Sequence, residues 1–217
     1  MEKTTFNSEK MYTYIRGYAS GLDMTQTLCA LAFARKKHQG QMRKSGEPYI
    51  VHPLTMACDA LSLGIKDDNT IATILLHDVC EDCGVSVAEL PVNDVVKRGV
   101  ELMTFTVMSG ETKEIAKRRY YNMLVNSREA SITKLIDRCH NVSSMAGTFT
   151  IEKLKSYIDE TRDYVLPLLR QVKDTYPDEA NILFILKYHI TSVVDAIDLT
   201  LQACEKEREQ KSIQQKN

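Results

Sequence analysis

Ile71-Ala72-Thr73-Ile74-Leu75-Leu76 runs without a break into His77-Asp78-Val79-Cys80-Glu81-Asp82. The apolar half predicts a helix buried around most of its circumference. The polar half is costly at the end of such a helix, because buried charges persist only when paired or bound to a metal. Gly84 supplies a C′ stop. That stop places Glu81 and Asp82 near the negative end of the helix dipole, where carboxylates are disfavoured. Local rules broken this densely mark a functional site. His77 and Glu81 are four apart, as are Asp78 and Asp82, so each pair stacks on nearly one helix face. One reading is that His77 and Asp78 hold a cation, with Glu81 and Asp82 one turn on, beside its open coordination positions. The other is a polar helix end with a solvated Glu-Asp pair.

Upstream, Asp67-Asp68-Asn69-Thr70 offers caps for this helix. Before it, Leu54, Met56, Ala57, Ala60 and Leu61 predict a helix that Gly64 ends. His52 opens that helix, with Pro53 suited to a first turn. A lone inward histidine of this kind is ordinarily a satisfied core residue. Gly46 and Pro48 make residues 41–51 a loop. Its neighbouring cations Arg43 and Lys44 have no adjoining acids and suit an anionic ligand; arginine can also stack on a base or grip a phosphate. Met24 to His38 predicts a helix capped by Thr25, with Lys36-Lys37-His38 matching the dipole of its last turn. Residues 1–24 form a polar, tyrosine-containing lead-in ended by Gly21.

Downstream, Ser86 and Glu89 have capping-box spacing. Helices are predicted over 94–107 and over Lys113 to Val125, separated by a turn at Ser109-Gly110-Glu111-Thr112. The positive face of the second is either solvated or near an anionic substrate. From Ala130 to Asn141 an apolar stripe of Ile132, Leu135 and Ile136 is interrupted by Asp137. Asp137 therefore either points inward or pairs at the surface with Lys134 or Arg138. Asn141 shares its face. A further helix begins near Ile151 and is bent or broken by Pro167. A last amphipathic helix runs from Ile182 to Leu201, in a C-terminal extension of residues 171–204. The charged, glutamine-rich tail of residues 205–217 is expected to fray. Strand patterning and internal repeats are absent, and the expected architecture is an all-α helical bundle in a single domain.

The composition narrows the partners. A net charge of −1 over 217 residues creates no global basic field. Nucleic acid and anionic membrane surfaces are therefore not expected partners. No run of about 20 apolar residues predicts a membrane span, and Met1-Glu2-Lys3-Thr4-Thr5-Phe6 lacks a signal-peptide core, so a cytoplasmic protein is expected. The six cysteines are scattered through apolar helical sequence and read as reduced and mostly buried. Cys80-x-x-Cys83 nominally matches a redox or zinc pair but has no second pair to complete it.

Three blocks together resemble one family: Arg43-Lys44-Ser45-Gly46-Glu47-Pro48-Tyr49-Ile50-Val51-His52-Pro53, His77-Asp78-Val79-Cys80-Glu81-Asp82 and Lys134-Leu135-Ile136-Asp137-Arg138-Cys139-His140-Asn141. In this order and spacing they resemble the hydrolase domain of the RelA/SpoT family, within the HD-domain phosphohydrolases, over about residues 25–170. The resemblance implies His52, His77, Asp78 and Asp137 as metal ligands, normally for Mn²⁺. It implies Glu81 and Asp82 as the acidic pair acting on the attacking water. It puts Arg43 and Lys44 near a guanine base and phosphates, and Asn141 and Ser144 at the nucleotide. The implied reaction is hydrolysis of the 3′-pyrophosphate of (p)ppGpp to GDP or GTP and pyrophosphate. Two imidazoles and two carboxylates are also compatible with Fe or Zn. The chain departs from the family at Cys83, at Cys139 and over Val142-Ser143-Ser144-Met145. These departures leave open the choice between guanine and adenine alarmones; separate alternatives are NADPH as a 2′-phosphatase substrate, another nucleotide on the same site, and a non-catalytic alarmone sensor.

Overall fold

The computed structural model describes residues 7–214, and among them eleven α-helices follow one another without a strand. They are α1 (Ser8–Gly21), α2 (Thr25–Lys37), α3 (Val51–Ser62), α4 (Asp68–Leu76), α5 (Val79–Cys83), α6 (Asp94–Met103), α7 (Lys113–Leu124), α8 (Arg128–Met145), α9 (Ile151–Glu160), α10 (Leu166–Thr175) and α11 (Ala180–Gln214). An isolated antiparallel bridge between Met42 and Pro48 closes the loop between α2 and α3.

The all-α expectation holds, and α4 is its axis. Ile71, Ala72, Ile74, Leu75 and Leu76 are fully buried, and α4 packs against α2, α3, α6 and α8. Nothing charged lies between Asn69 and Leu76, so no face of the helix needs water. The approach of α6 depends on Gly99, where an added Cβ would sit 2.9 Å from both Oγ1 and Cγ2 of Thr73. In the predicted lead-in, α1 buries Ile15 and Ala19 and packs against α2 and α3; residues 1–6 lie outside the described residues.

Several expectations need correction. The helix that opens at α4 does not continue to Gly84. It ends at Leu76, and His77 and Asp78 form a junction before α5. The cause is local. His77 donates from Nδ1 to the Ile74 carbonyl at 2.8 Å, while Asp78, at φ −100° and ψ −6°, lies at the edge of the right-handed helical region. Glu81 and Asp82 thus belong to a separate five-residue helix, in its first turn and also next to its end at Gly84. Gly84 does close that segment, at φ 63°.

Thr25 does not cap α2. Met24 occupies the N-cap without a side-chain bond, and the Asp68 carboxylate of α4 accepts from Gln26 N at 2.9 Å and Thr27 N at 2.7 Å instead. The helix predicted over 94–107 stops at Met103, whose carbonyl accepts from Tyr120 Oη at 3.0 Å. At Pro167 the helix is modified rather than broken: a π-helical segment over Thr161–Val165 runs directly into α10, and the widened turns accommodate the missing N–H of the proline. Of the tail, residues 205–214 continue α11, with Lys155 and Glu205 paired, and residues 215–217 lie outside the described residues. Of the cysteines only Cys139 is buried; Cys29 and Cys204 are exposed, and all six are free thiols. Among the described residues no helix is long and apolar enough to cross a membrane.

Candidate active site

Three elements bring four side chains to one point. The first turn of α3 supplies His52, the α4–α5 junction supplies His77 and Asp78, and the middle of α8 supplies Asp137. His77 Nε2 lies 3.0 Å from Asp78 Oδ2. His52 Nε2 lies 3.6 Å from that oxygen and 3.4 Å from Asp137 Oδ1. His77 Nε2 is 3.9 Å from Asp137 Oδ1. Ligand atoms of His52, His77 and Asp78 all lie within 4.8 Å of one another, and Asp137 adds a fourth from the opposite helix. His52, His77 and Asp137 are buried and Asp78 half-buried.

These residues fit a divalent cation. With Nδ1 donating to Ile74, the neutral form of His77 carries its lone pair on the buried Nε2, which faces Asp78 Oδ2 at 3.0 Å and Asp137 Oδ1 at 3.9 Å. Fixing the tautomer from behind is how ligating histidines are oriented. Burial disfavours charge on His77, yet the adjacent Asp78 carboxylate outweighs it and lifts its pKa to about 9. Burial likewise opposes ionisation of Asp137, and Lys134 with His52 and His77 drives its pKa well below the carboxylate range. The histidine proton and a cation answer to the same two carboxylates.

A second layer holds the first in place. Tyr49 donates its hydroxyl to Asp78 Oδ2 and stacks on His38 at 4.7 Å between ring centroids. Asn141 Nδ2 donates to Asp137 Oδ1 at 2.6 Å, and Lys134 Nζ to Oδ2 at 3.2 Å. Asp137 therefore points inward with Lys134 as its partner, while Arg138 turns away to Glu160, 2.6 Å distant. His52 Nδ1 and His140 Nδ1 share a hydrogen bond of 2.9 Å. Burial first, then the charges of His52 and Arg43, hold His140 at a pKa of about 3, so it is neutral. Tyr49 and His140 were not singled out from the sequence; the available signal was helical spacing, Tyr49 three before His52 and His140 three after Asp137.

Beside this cluster opens a cavity of about 1120 Å³ lined by Arg43, Lys44, Asp82, Asn141 and Ser144 among others. Arg43 is half-buried, donates to Asn141 Oδ1 at 3.2 Å and leaves one buried guanidinium nitrogen unpartnered. Lys44 is exposed. Asn141 thus links Arg43 to Asp137, and Ser144 Oγ bonds back to carbonyls of its own helix at 3.2 and 3.3 Å. Asp82 faces the cavity and accepts from Gln41 Nε2 at 3.4 Å. Glu81 is not among the lining residues; burial and the neighbouring Asp78 raise its pKa. Asp82 thus borders the cavity, while Glu81 lies near enough to Asp78 and Lys134 to feel both charges.

The HD-domain family matches residues 30–168, which contain all four converging side chains. The chain belongs to the HD-domain family. Its HD domain is 33% identical over 148 residues to the guanosine-3′,5′-bis(diphosphate) 3′-pyrophosphohydrolase of Aquifex aeolicus (strain VF5), covering 66% of this chain and 21% of that protein. It is 33% identical over 157 residues to the bifunctional (p)ppGpp synthase/hydrolase SpoT of Escherichia coli (strain K12), again 66% of this chain and 21% of the relative. The HD-domain chain thus spans about a fifth of the length of these curated relatives. A solved structure of a metazoan ortholog of SpoT that hydrolyzes ppGpp superposes with a TM-score of 0.61 at 24% identity, over 79% of this chain and 94% of that one.

Proposed function

We propose that this HD-domain protein hydrolyses the 3′-pyrophosphate of (p)ppGpp, giving GDP or GTP and pyrophosphate, with residues 25–170 as the catalytic unit. The observation that carries this reading is the meeting of His52, His77, Asp78 and Asp137 beside a cavity that their partners Tyr49, His140 and Asn141 line together with Arg43 and Lys44. The names of the relatives support it. These four side chains are the proposed ligands of Mn²⁺, with Fe or Zn admitted by the same donors. When bound, such an ion polarises a phosphoryl oxygen and lowers the pKa of water.

The chain's own residues do the rest. Arg43 and Lys44 offset the charge of a polyanion that the acidic cluster otherwise repels. Asn141 keeps Asp137 in register and couples it to Arg43. Asp82, facing the cavity, and Glu81, close to Asp78, orient the attacking water and take its proton. The elevated pKa of Glu81 suits a proton acceptor. Ser144 lines the nucleotide path. A nucleotide of this class agrees with a cytoplasmic place of work.

The test is turnover of ppGpp with Mn²⁺ and with chelator, scoring pyrophosphate and inorganic phosphate separately. Metal-dependent release of pyrophosphate with GDP is the expected result. Inorganic phosphate alone, or turnover of NADPH in preference to ppGpp, would replace this reading with a phosphatase. Tight binding of ppGpp without product would replace it with a sensor.

A further inference from the structure

The cavity has a second polar end. Along α3, Val51, Thr55, Asp59 and Ser62 all line it, at spacings that keep them on one face. Asp59 lies seven residues beyond His52, about 10 Å at the helical rise. That is the order of length a nucleoside spans from its 3′ phosphate to the far edge of its base. Opposite stand Ile185, Leu186 and His189 of α11, a helix outside the stretch that matches the HD family. Ser143 donates its hydroxyl to the Cys139 carbonyl at 2.8 Å, so its oxygen accepts from His189 Nε2, also at 2.8 Å. The His189 ring is thereby held as a wall of the cavity.

We infer that Asp59, with the His189 wall, reads the base of the nucleotide and selects guanine over adenine. This rests on the nucleotide reading of the cavity. A carboxylate offers acceptors only. Guanine presents two adjacent donors on its pairing edge, the ring N1–H and the exocyclic amino group, and a single carboxylate can accept from both. Adenine presents one amino donor beside an unprotonated ring nitrogen, whose lone pair faces the second carboxylate oxygen. A site built on acceptors rejects the base that cannot donate to it, because a polar group is left unpaired. Asp59 is exposed and lines the cavity, so a ligand reaches its carboxylate; partial desolvation raises its pKa and His189 opposes. The polarity of the cavity fits as well. Phosphates are drawn to Arg43 and Lys44 and repelled from Asp59, which leaves the base for the Asp59 end.

The experiment measures GDP and ADP binding by calorimetry to the Mn²⁺-loaded full-length protein, in the wild type, Asp59→Asn and Asp59→Ala. The wild type should hold GDP about tenfold or more tighter than ADP, as charged hydrogen bonds of this kind predict. Asp59→Asn exchanges one acceptor for a donor and should bring the ratio to about one or invert it. Asp59→Ala should erase the preference without inverting it. Equal affinities in the wild type, or a ratio that survives both substitutions, would overturn the inference. Pyrophosphate release from ppGpp by the wild type is scored in parallel. Its absence would sink the proposed reaction, and the GDP-to-ADP ratio would still decide the role of Asp59.

Discussion

At His77 a proton and a cation compete for one atom. In the metal-free protein its pKa stands near 9, against the pull of burial, because Asp78 lies beside it. A histidine raised in this way stabilises the fold below about pH 6.5, and that contribution is lost as the pH rises through 9. Metal binding runs in the opposite sense. A ligating imidazole must be neutral, so binding displaces the proton. The apparent Mn²⁺ affinity should therefore climb about tenfold per pH unit between pH 7 and 9 and then level off. Calorimetric titration at several pH values, in buffers of different ionisation enthalpy, reads both the slope and the released proton. A flat profile would show that His77 is not displaced from its proton.

The neighbouring side chains divide by what their removal should do. His77→Ala and Asp78→Ala should lose bound metal and turnover together. Glu81→Gln and Asp82→Asn should keep stoichiometric metal, measured by elemental analysis, and lose about 10²- to 10⁴-fold in rate. Full activity in either would remove that residue from the handling of water. His77 and Asp78 were legible in the sequence because a histidine-carboxylate pair closing an apolar helix is locally expensive. His52 was legible only through the resemblance of its block, since by itself an inward histidine beside Pro53 has a bland explanation. Asn141 was visible as sharing a face with Asp137, and its bond to Asp137 follows that spacing.

Among the elements, the α4–α6 contact makes the clearest demand. Thr73 is β-branched, so its side chain cannot swing aside from a methyl group at position 99. Its hydroxyl is moreover bonded to the Asn69 carbonyl at 2.8 Å. Gly99→Ala should cost about 1–3 kcal/mol, read by urea denaturation, and Thr73→Ala in the same chain should return part of it. Strict additivity of the two changes would mean that the helices part rather than clash. The helices themselves were readable from apolar periodicity, and α7 and α8 fall close to where the pattern put them. The break between α4 and α5 was not readable, because it depends on a side chain of the junction taking a backbone carbonyl. The wall that α11 adds to the cavity was hidden for another reason: an amphipathic pattern says that a face is covered and does not say by what.

Across the whole molecule, one buried ion pair ties α8 to the α9 end. Arg138 is 1% exposed, bonds Glu160 and Tyr121 Oη, and lies 3.9 Å from the Tyr157 ring centroid. Burial opposes charge on Glu160, but Arg138 and Lys117 prevail and hold its pKa at about 2. A depressed carboxylate contributes stability that is present above its unfolded value near 4.5 and is lost as the pH falls toward 2. Arg138→Met removes one of the two cations of Glu160 and leaves Lys117 at 2.5 Å, and should cost about 1–3 kcal/mol at neutral pH. Glu160→Gln should flatten the acid limb of stability between pH 4.5 and 2. An unchanged acid limb in that variant would mean that other carboxylates govern acid unfolding.

The Asp68 carboxylate, by closing the start of α2 from the start of α4, also sets an order of events. During synthesis α2 emerges with its first amides open, and it remains a fraying helix until the chain has grown past residue 68. Its completion is thus a long-range step, timed by the docking of α4. Asp68→Ala should slow refolding more than its stability loss of about 0.5–2 kcal/mol suggests for an ordinary cap. Stopped-flow measurements that found only faster unfolding would place this closure after the rate-limiting step.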